Sequence, residues 1–360
     1  MSTAAVKVFV VDDSAVVRQA FLHLLQGDPD IELMGSAPNP LLAGPIIQKN
    51  RPDVLLLDIE MPGMDGLTFL RQIMAESPIP TVICSTLTEQ GSKIALDALS
   101  AGAVAVIAKP RLGLKQFLEE SRRELVQTLK TAARSRPKTI HAQSTSPTTA
   151  IGAAKSPSAP VATAGLHALA MNKPVVLGAS TGGTQAIEAV LMAMPADCPG
   201  IVIVQHMPER FTAMYAQRLN DGCAIRVREA KDGDRVERGL ALIAPGGLHL
   251  QLRKTGGQYF AVVSDGPPVN RHKPSVDVLF QSAATCAGRD ALAIILTGMG
   301  NDGARGMKLM HEHGARTVAQ NEETCVVFGM PMEAIRLQCV DDILPLNRVA
   351  DAILQFDRRG

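Results

Sequence analysis

The chain lacks a surplus of charge of either sign: 36 Lys and Arg stand against 35 Asp and Glu, a formal net charge of +1. That balance leaves no electrostatic footprint for nucleic acid or for an anionic membrane surface. It also lacks paired cysteines. The six, at positions 84, 198, 223, 286, 325 and 339, form no C-x-x-C and no regular spacing, so neither a disulfide framework nor a zinc site is indicated, and a reducing cytoplasm is the expected compartment. No uninterrupted apolar run approaches the roughly 20 residues that span a bilayer, which argues against membrane insertion. Met1 leads straight into the apolar stretch Val6–Val11, without the basic segment and cleavage site of an export signal.

What is present is globular. With 46% hydrophobic and 20% charged residues in 360, two domains of ordinary size are expected rather than one. From about Ala133 to Ala170 the sequence is rich in Ser, Thr, Ala and Pro and shows neither period-2 nor period-3.6 patterning, as a flexible linker does. The expected division is a first domain over 1–130, a linker over 131–170 and a second domain over 171–357.

In the first domain, apolar runs at Val6–Val11, Ile31–Gly35, Val54–Leu57, Thr81–Cys84 and Val104–Ala108 alternate with helical patterns such as Ala15–Gln26 and Gly66–Glu76. This predicts a five-stranded parallel sheet with helices on both faces. In the second, Val175–Gly178, Ile201–Gln205, Ala241–Ala244, Tyr259–Ser264 and Ala291–Thr297 read as strands, with helices at Thr184–Ala193, Ser275–Ala287 and Gly303–His311. A doubly wound α/β domain with an antiparallel hairpin near Leu248–Ser264 is expected.

Ligands of an open parallel sheet sit beyond the carboxyl ends of its strands. There the first domain places Asp12, Asp13, Asp58, Ser85 and Lys109. Three facing carboxylates repel unless a hard divalent cation lies among them, which points to Mg²⁺ held by Asp12, Asp13 and Asp58. Asp58 then suits nucleophilic attack on phosphorus, with Ser85 and Lys109 gripping the acyl phosphate formed. The segments VDDSAVVR, LLLDIEMPGMDGLTFL, TVICSTLT and GAVAVIAKP resemble the flavodoxin-like receiver domain of two-component response regulators. Many receivers carry an aromatic residue three positions before the lysine; here Val106 stands there, which leaves no aromatic side chain to report phosphorylation.

In the second domain VVLGASTGGTQAIEAVL reads as strand, tight glycine turn and helix, with Ser180 at the turn of a G-x-S-x-G segment. Such a turn also occurs in phosphate-binding and purely structural settings. A serine needs a base, and His206, just past the strand Ile201–Gln205, is the best placed of the eight histidines. Asp302, in Gly298-Met299-Gly300-Asn301-Asp302-Gly303, can orient that imidazole or cap the helix that follows. The Ser, His, Asp chain order differs from the Ser, Asp, His order of ordinary α/β hydrolases. His311 and His313 diverge by about 200° on a helix and read as solvated residues rather than a metal pair.

The combination GASTGG, QHMP, RHKPSVDVLF, LTGMGNDGA and VVFGMP resembles the catalytic domain of the bacterial chemotaxis methylesterase (CheB) family, over about residues 172–355. The resemblance implies a protein-glutamate methylesterase, in some members also a glutamine deamidase, activated by phosphorylation. It implies Ser180 as nucleophile, His206 as base, Asp302 as orienting acid, the Met299 N–H in an oxyanion hole, and Thr181 and His272 at the site. It further implies a chemotaxis histidine kinase as phosphodonor, the cytoplasmic domains of methyl-accepting chemoreceptors as substrate, Mg²⁺ at the receiver and no cofactor for the esterase. Two other classes fit less well. A DNA-binding output domain lacks its basic recognition helix, and a dehydrogenase lacks G-x-G-x-x-G.

Overall fold

The computed structural model describes residues 5–85, 89–109, 115–135 and 173–358. Of the expected linker, 136–170 lies outside the described residues, while 131–135 completes a long helix and its end.

The first domain runs β1 (Val6–Val11), α1 (Ala15–Leu25), β2 (Ile31–Ala37), α2 (Pro40–Lys49), β3 (Val54–Asp58), α3 (Gly66–Glu76), β4 (Thr81–Ser85), α4 (Glu89–Ser100), β5 (Ala105–Ala108) and α5 (Lys115–Ala133). Its five strands form one parallel sheet in the order β2-β1-β3-β4-β5. Strands β3 and β4 are buried along their whole length, because helices cover both faces, and their unbroken apolar runs follow from that. Local sequence starts the helices: Ser14, Asn39 and Asp65 cap α1, α2 and α3 by accepting from the backbone N–H groups of Val17, Leu42 and Thr68.

The second domain adds β6 (Val175–Ala179), α6 (Gly183–Met192), β7 (Ile201–Gln205), α7 (Glu209–Gly222), β8 (Arg226–Glu229), β9 (Leu240–Ile243), β10 (His249–Thr255), β11 (Gln258–Ser264), α8 (Val276–Cys286), β12 (Leu292–Ile295), α9 (Ala304–Glu312), β13 (Arg316–Gln320), α10 (Met330–Arg336), β14 (Asp342–Leu344) and α11 (Leu346–Arg358). Seven strands form a second parallel sheet, β14-β13-β12-β6-β7-β9-β8, and β10 and β11 pair as the expected separate antiparallel hairpin. The sheet is larger than the sequence suggested. β8 and β14 are short edge strands with charged residues, and β13 opens on Arg316, so none reads as a clean apolar run. Side chains alternate between two apolar layers. Val175 and Leu177 join the layer that includes residues of α6, α7 and α11, whereas Val176 faces residues of α8, α9 and α10.

The chain winds outward from β6 in both directions, to β7 on one side and later to β12 on the other. That reversal opens a crevice at the carboxyl ends of these strands. The two domains touch. An apolar cluster runs from Leu96 and Leu99 of the first domain into the layer containing Met194 and Leu219, Arg218 of α7 pairs with Asp97 of α4, and the Gln185 amide donates to Leu99 O.

Candidate active site and phosphoacceptor site

In the first domain the strand-end residues converge. Asp58 closes β3 and Ser85 closes β4, both buried, and Asp12 follows β1 at 1% exposure. The Lys109 ammonium lies 2.8 Å from Asp58 Oδ2 and 3.3 Å from Asp12 Oδ2, and neither oxygen has another donor among the described residues. Burial pushes the Asp58 carboxyl up to about 6 against the hydrogen bond and charge of Lys109, with Asp12 adding repulsion. Carboxylate oxygens of Asp12, Asp13 and Asp58 come within 4.8 Å of one another. A cluster of hard oxygens around undersatisfied, desolvated carboxylates suits Mg²⁺.

In the second domain Ser180 follows β6, His206 follows β7 and Asp302 lies beyond β12, so adjacent strand ends bring them to one crevice. Ser180 sits in a turn that Gly182 completes with φ +76°, a backbone angle L side chains rarely adopt. A Cβ on Gly298 would come within 2.8 Å of the Ser180 Cβ and 2.3 Å of the Met330 sulfur, so glycine is what lets the loop after β12 press against the Ser180 turn. The Ser180 N–H donates to Thr297 O at 3.0 Å and is therefore engaged. The N–H groups of Thr181 and Met299, on the two sides of this contact, have no acceptor among the described residues. Donors left open in this way are what an oxyanion requires.

His206 turns Nε2 toward Asp302 Oδ2 at 2.8 Å, and its Nδ1 is buried without a hydrogen-bond partner among the described residues. The Asp302 carboxylate also accepts from Asn270 Nδ2 at 2.7 Å, Ser275 Oγ at 2.7 Å, Val276 N at 2.7 Å and Asp277 N at 3.3 Å. Burial favours the neutral acid, but hydrogen bonds and charge from His206, with Asn270 and Ser275, outweigh it and hold Asp302 well below the usual carboxylate range. Asp302 thus serves the N-terminus of α8, whose first N–H groups it accepts. It does not cap α9, which Gly303 begins without a side-chain cap.

His272 stacks on His206, with ring centroids 3.7 Å apart and planes 10° from parallel. Burial first, then the charge of His206, lowers its pKa to about 4. Sequence reasoning missed two supporting residues. Asn270 spans two buried carboxylates, Asp302 and Asp277, through one amide nitrogen. Gln205, the last residue of β7, donates from Nε2 to Ser180 O at 2.9 Å and His206 O at 3.0 Å, and so ties the Ser180 loop to the His206 loop. A polar residue ending an otherwise apolar strand was the only signal for Gln205; the Asn270 contacts are nonlocal and left none.

Helix α5 of the first domain reaches the same place. The Thr131 hydroxyl and, at 3.4 Å, the Gln127 amide contact the Met299 sulfur. Beside it an interdomain cleft of about 570 Å³ is lined by Thr131, Arg134, Met299, Gly300 and Phe328. Among the described residues, His311 pairs with Asp341 at 3.4 Å and joins no metal-ligating cluster, and no helix is long and apolar enough to cross a membrane.

The sequence matches the family model of CheB methylesterase over residues 175–353 and that of the response regulator receiver domain over 8–120. It is 53% identical over 356 residues to "Protein-glutamate methylesterase/protein-glutamine glutaminase 1" of Chromobacterium violaceum, spanning 96% of this chain and 98% of that protein. It is 56% identical over 347 residues to the similarly named protein 2 of Xanthomonas campestris pv. campestris, spanning 96% and 99%. The crystal structure of the Thermotoga maritima CheB methylesterase catalytic domain resembles the second domain with a TM-score of 0.50 at 37% identity, covering 51% of this chain and 98% of that one. The chain therefore belongs to the CheB methylesterase family, with a response regulator receiver domain ahead of its methylesterase domain.

Proposed function

We propose that this protein is a phosphorylation-controlled protein-glutamate methylesterase acting on chemoreceptors, with Ser180 as nucleophile, His206 as base and Asp302 as the acid that orients it. The observation that carries the reading is the convergence of Ser180 and the His206–Asp302 pair beside the acceptorless N–H groups of Thr181 and Met299.

Because Asp302 is ionised and accepts from Nε2–H, the neutral imidazole carries its proton there and Nδ1 is the basic atom. Ser180 Oγ attacks the γ-ester carbonyl as Nδ1 takes its proton. The tetrahedral oxyanion is held by the Thr181 and Met299 N–H groups, donors worth about 3–4 kcal/mol each in such sites. Collapse passes the proton from Nδ1 to the departing methoxide and releases methanol. Water, activated by the same nitrogen, then cleaves the acyl-serine to a glutamate carboxylate and regenerates Ser180. A glutamine amide follows the same course with ammonia leaving, as the relatives' name indicates for them.

At the receiver, Asp58 takes a phosphoryl group from a chemotaxis histidine kinase, and Lys109 and Ser85 hold its oxygens. Asp12, Asp13 and Asp58 would hold Mg²⁺, which offsets negative charge between carboxylate and phosphate. Control follows from the position of α5 on Met299, a residue of the proposed oxyanion hole. The receiver covers the site, and the covalent connection through residues 136–170 keeps it close at a high effective concentration. Phosphate on Asp58 shifts the balance toward an uncovered state; moving it from 1:99 to 99:1 takes about 5.5 kcal/mol. The experiment is methanol release from methylated receptor with and without a small-molecule phosphodonor and Mg²⁺. Stimulation of the native protein and none of Asp58→Asn is expected. Equal stimulation of both contradicts the phosphosite, and no methanol under any condition contradicts the esterase.

A further inference from the structure

Val269 and His272 exchange both backbone hydrogen bonds, at 3.0 and 2.9 Å, which makes Asn270 and Arg271 the central pair of a two-residue hairpin turn. Both have positive φ, 52° and 71°, the pattern of a type I′ turn, whose preferred residues are Asn first and Gly second. Asn270 obeys that preference and anchors the turn to Asp302 and Asp277. Arg271 does not: a Cβ at its φ is strained.

Among the described residues no hydrogen bond or ion pair of the Arg271 side chain offsets that strain. The neighbours of Arg271 are all engaged: Asn270 on the two carboxylates, His272 stacked on His206, and Lys273 paired with Asp265 at 2.8 Å. Arg271 is exposed and forms no ion pair or hydrogen bond among the described residues. Its charge nonetheless registers at the site, where it adds to the effects that keep His272 neutral. A strained, exposed residue whose guanidinium has no partner among the described residues, next in sequence to the histidine that stacks on His206, is placed for something that arrives from solution.

We infer that Arg271 is a specificity-determining residue that grips a carboxylate of the substrate protein next to the scissile ester; the inference rests on the methylesterase reading. A guanidinium presents a planar fork that matches a carboxylate bidentately. The reaction itself makes such partners, because each hydrolysed glutamyl ester leaves a carboxylate on the substrate surface. Esters flanked by free glutamates are then preferred over esters flanked by neutral side chains.

The test uses the full chain, phosphodonor present, on two substrates: methylated receptor, and the γ-methyl ester of N-acetylglutamate α-amide, which is small and uncharged. Arg271→Gly suits the turn, so its melting temperature should equal or exceed that of the native protein. On receptor its KM should rise about tenfold with kcat unchanged, the loss of one charge-assisted contact. On the small ester kcat/KM should stay within about twofold, since that substrate offers no carboxylate. Raising ionic strength should raise the native KM for receptor and leave that of the variant flat, and Arg271→Lys should recover part of the loss. An unchanged receptor KM in Arg271→Gly overturns the inference, as does an equal loss on both substrates, which would make the residue structural. If the native protein releases methanol from neither substrate, the methylesterase reading itself has failed.

Discussion

His206 meets Asp302 through Nε2, at 2.8 Å, and keeps Nδ1 buried and without a partner among the described residues. In the proposed mechanism the ring nitrogen that serves as base is therefore the one nearer the backbone, and Asp302 selects it by accepting the proton of the other.

Replacing Asp302 by Asn reverses that selection, because the amide N–H₂ can face Nε2 and drive the proton onto Nδ1. Initial rates of methanol release from methylated receptor should fall by up to about 10⁴-fold, as expected when an orienting carboxylate fixes the tautomer. A loss below tenfold points to another orienting acid.

Asn270 donates from one amide nitrogen to two buried carboxylates, those of Asp302 and Asp277. Asn270→Ala removes two hydrogen bonds to acidic groups, each worth about 1.5–3 kcal/mol when the partner is charged. Denaturant unfolding should show a lower midpoint with an unchanged slope, and Asn270→Gly, which suits the positive φ, should lose nearly as much. If Asn270→Gly is as stable as the native protein, the residue serves the turn and not the carboxylates.

His272 ties stability to pH. Burial, with the charges of His206 and Arg271 and against that of Asp302, lowers its pKa from 6.5 to about 4 in the folded protein. A depressed folded value contributes stability that is complete above the unfolded value and is lost as pH falls toward the folded one. Between about pH 7 and 4 the native protein should lose on the order of 3 kcal/mol that a His272→Gln variant does not lose, at about 1.4 kcal/mol per unit. Parallel stability curves for the two proteins over that window contradict the burial of a neutral imidazole.

Contact between α5 and Met299 predicts that a fragment beginning near Met171 is active without phosphodonor and exceeds the unphosphorylated full chain. Initial rates on the same methylated receptor compare them. A well-folded fragment that is no faster shows that the receiver contributes to catalysis or docking and does not simply cover the site.

Much of this was legible in the sequence. Each parallel strand that is buried on both faces, such as Val54–Asp58 or Ile201–Gln205, declares itself as an apolar run, and the polar residue that ends it or follows it marks the ligand edge. Ser180, His206, Asp58 and Lys109 are legible in this way as candidates. Asp302 was ambiguous between orienting acid and helix cap, since nothing local reveals that its N–H donors come from α8 rather than α9. The edge strands Arg226–Glu229 and Asp342–Leu344 were missed because a strand at the rim needs no apolar run. Gln205 and Asn270 act across the fold, and a contact made by residues distant in the chain leaves no periodicity to read.

The central claim, that Ser180 is the nucleophile, is tested most directly by methanol release from methylated receptor with Ser180→Ala in the presence of phosphodonor. Ser180 is half-buried in a glycine turn, and its hydroxyl makes no hydrogen bond among the described residues, so the variant should fold with an unchanged melting temperature. It should release no methanol above the rate of receptor alone. Release at the native rate by a folded Ser180→Ala protein would contradict the account.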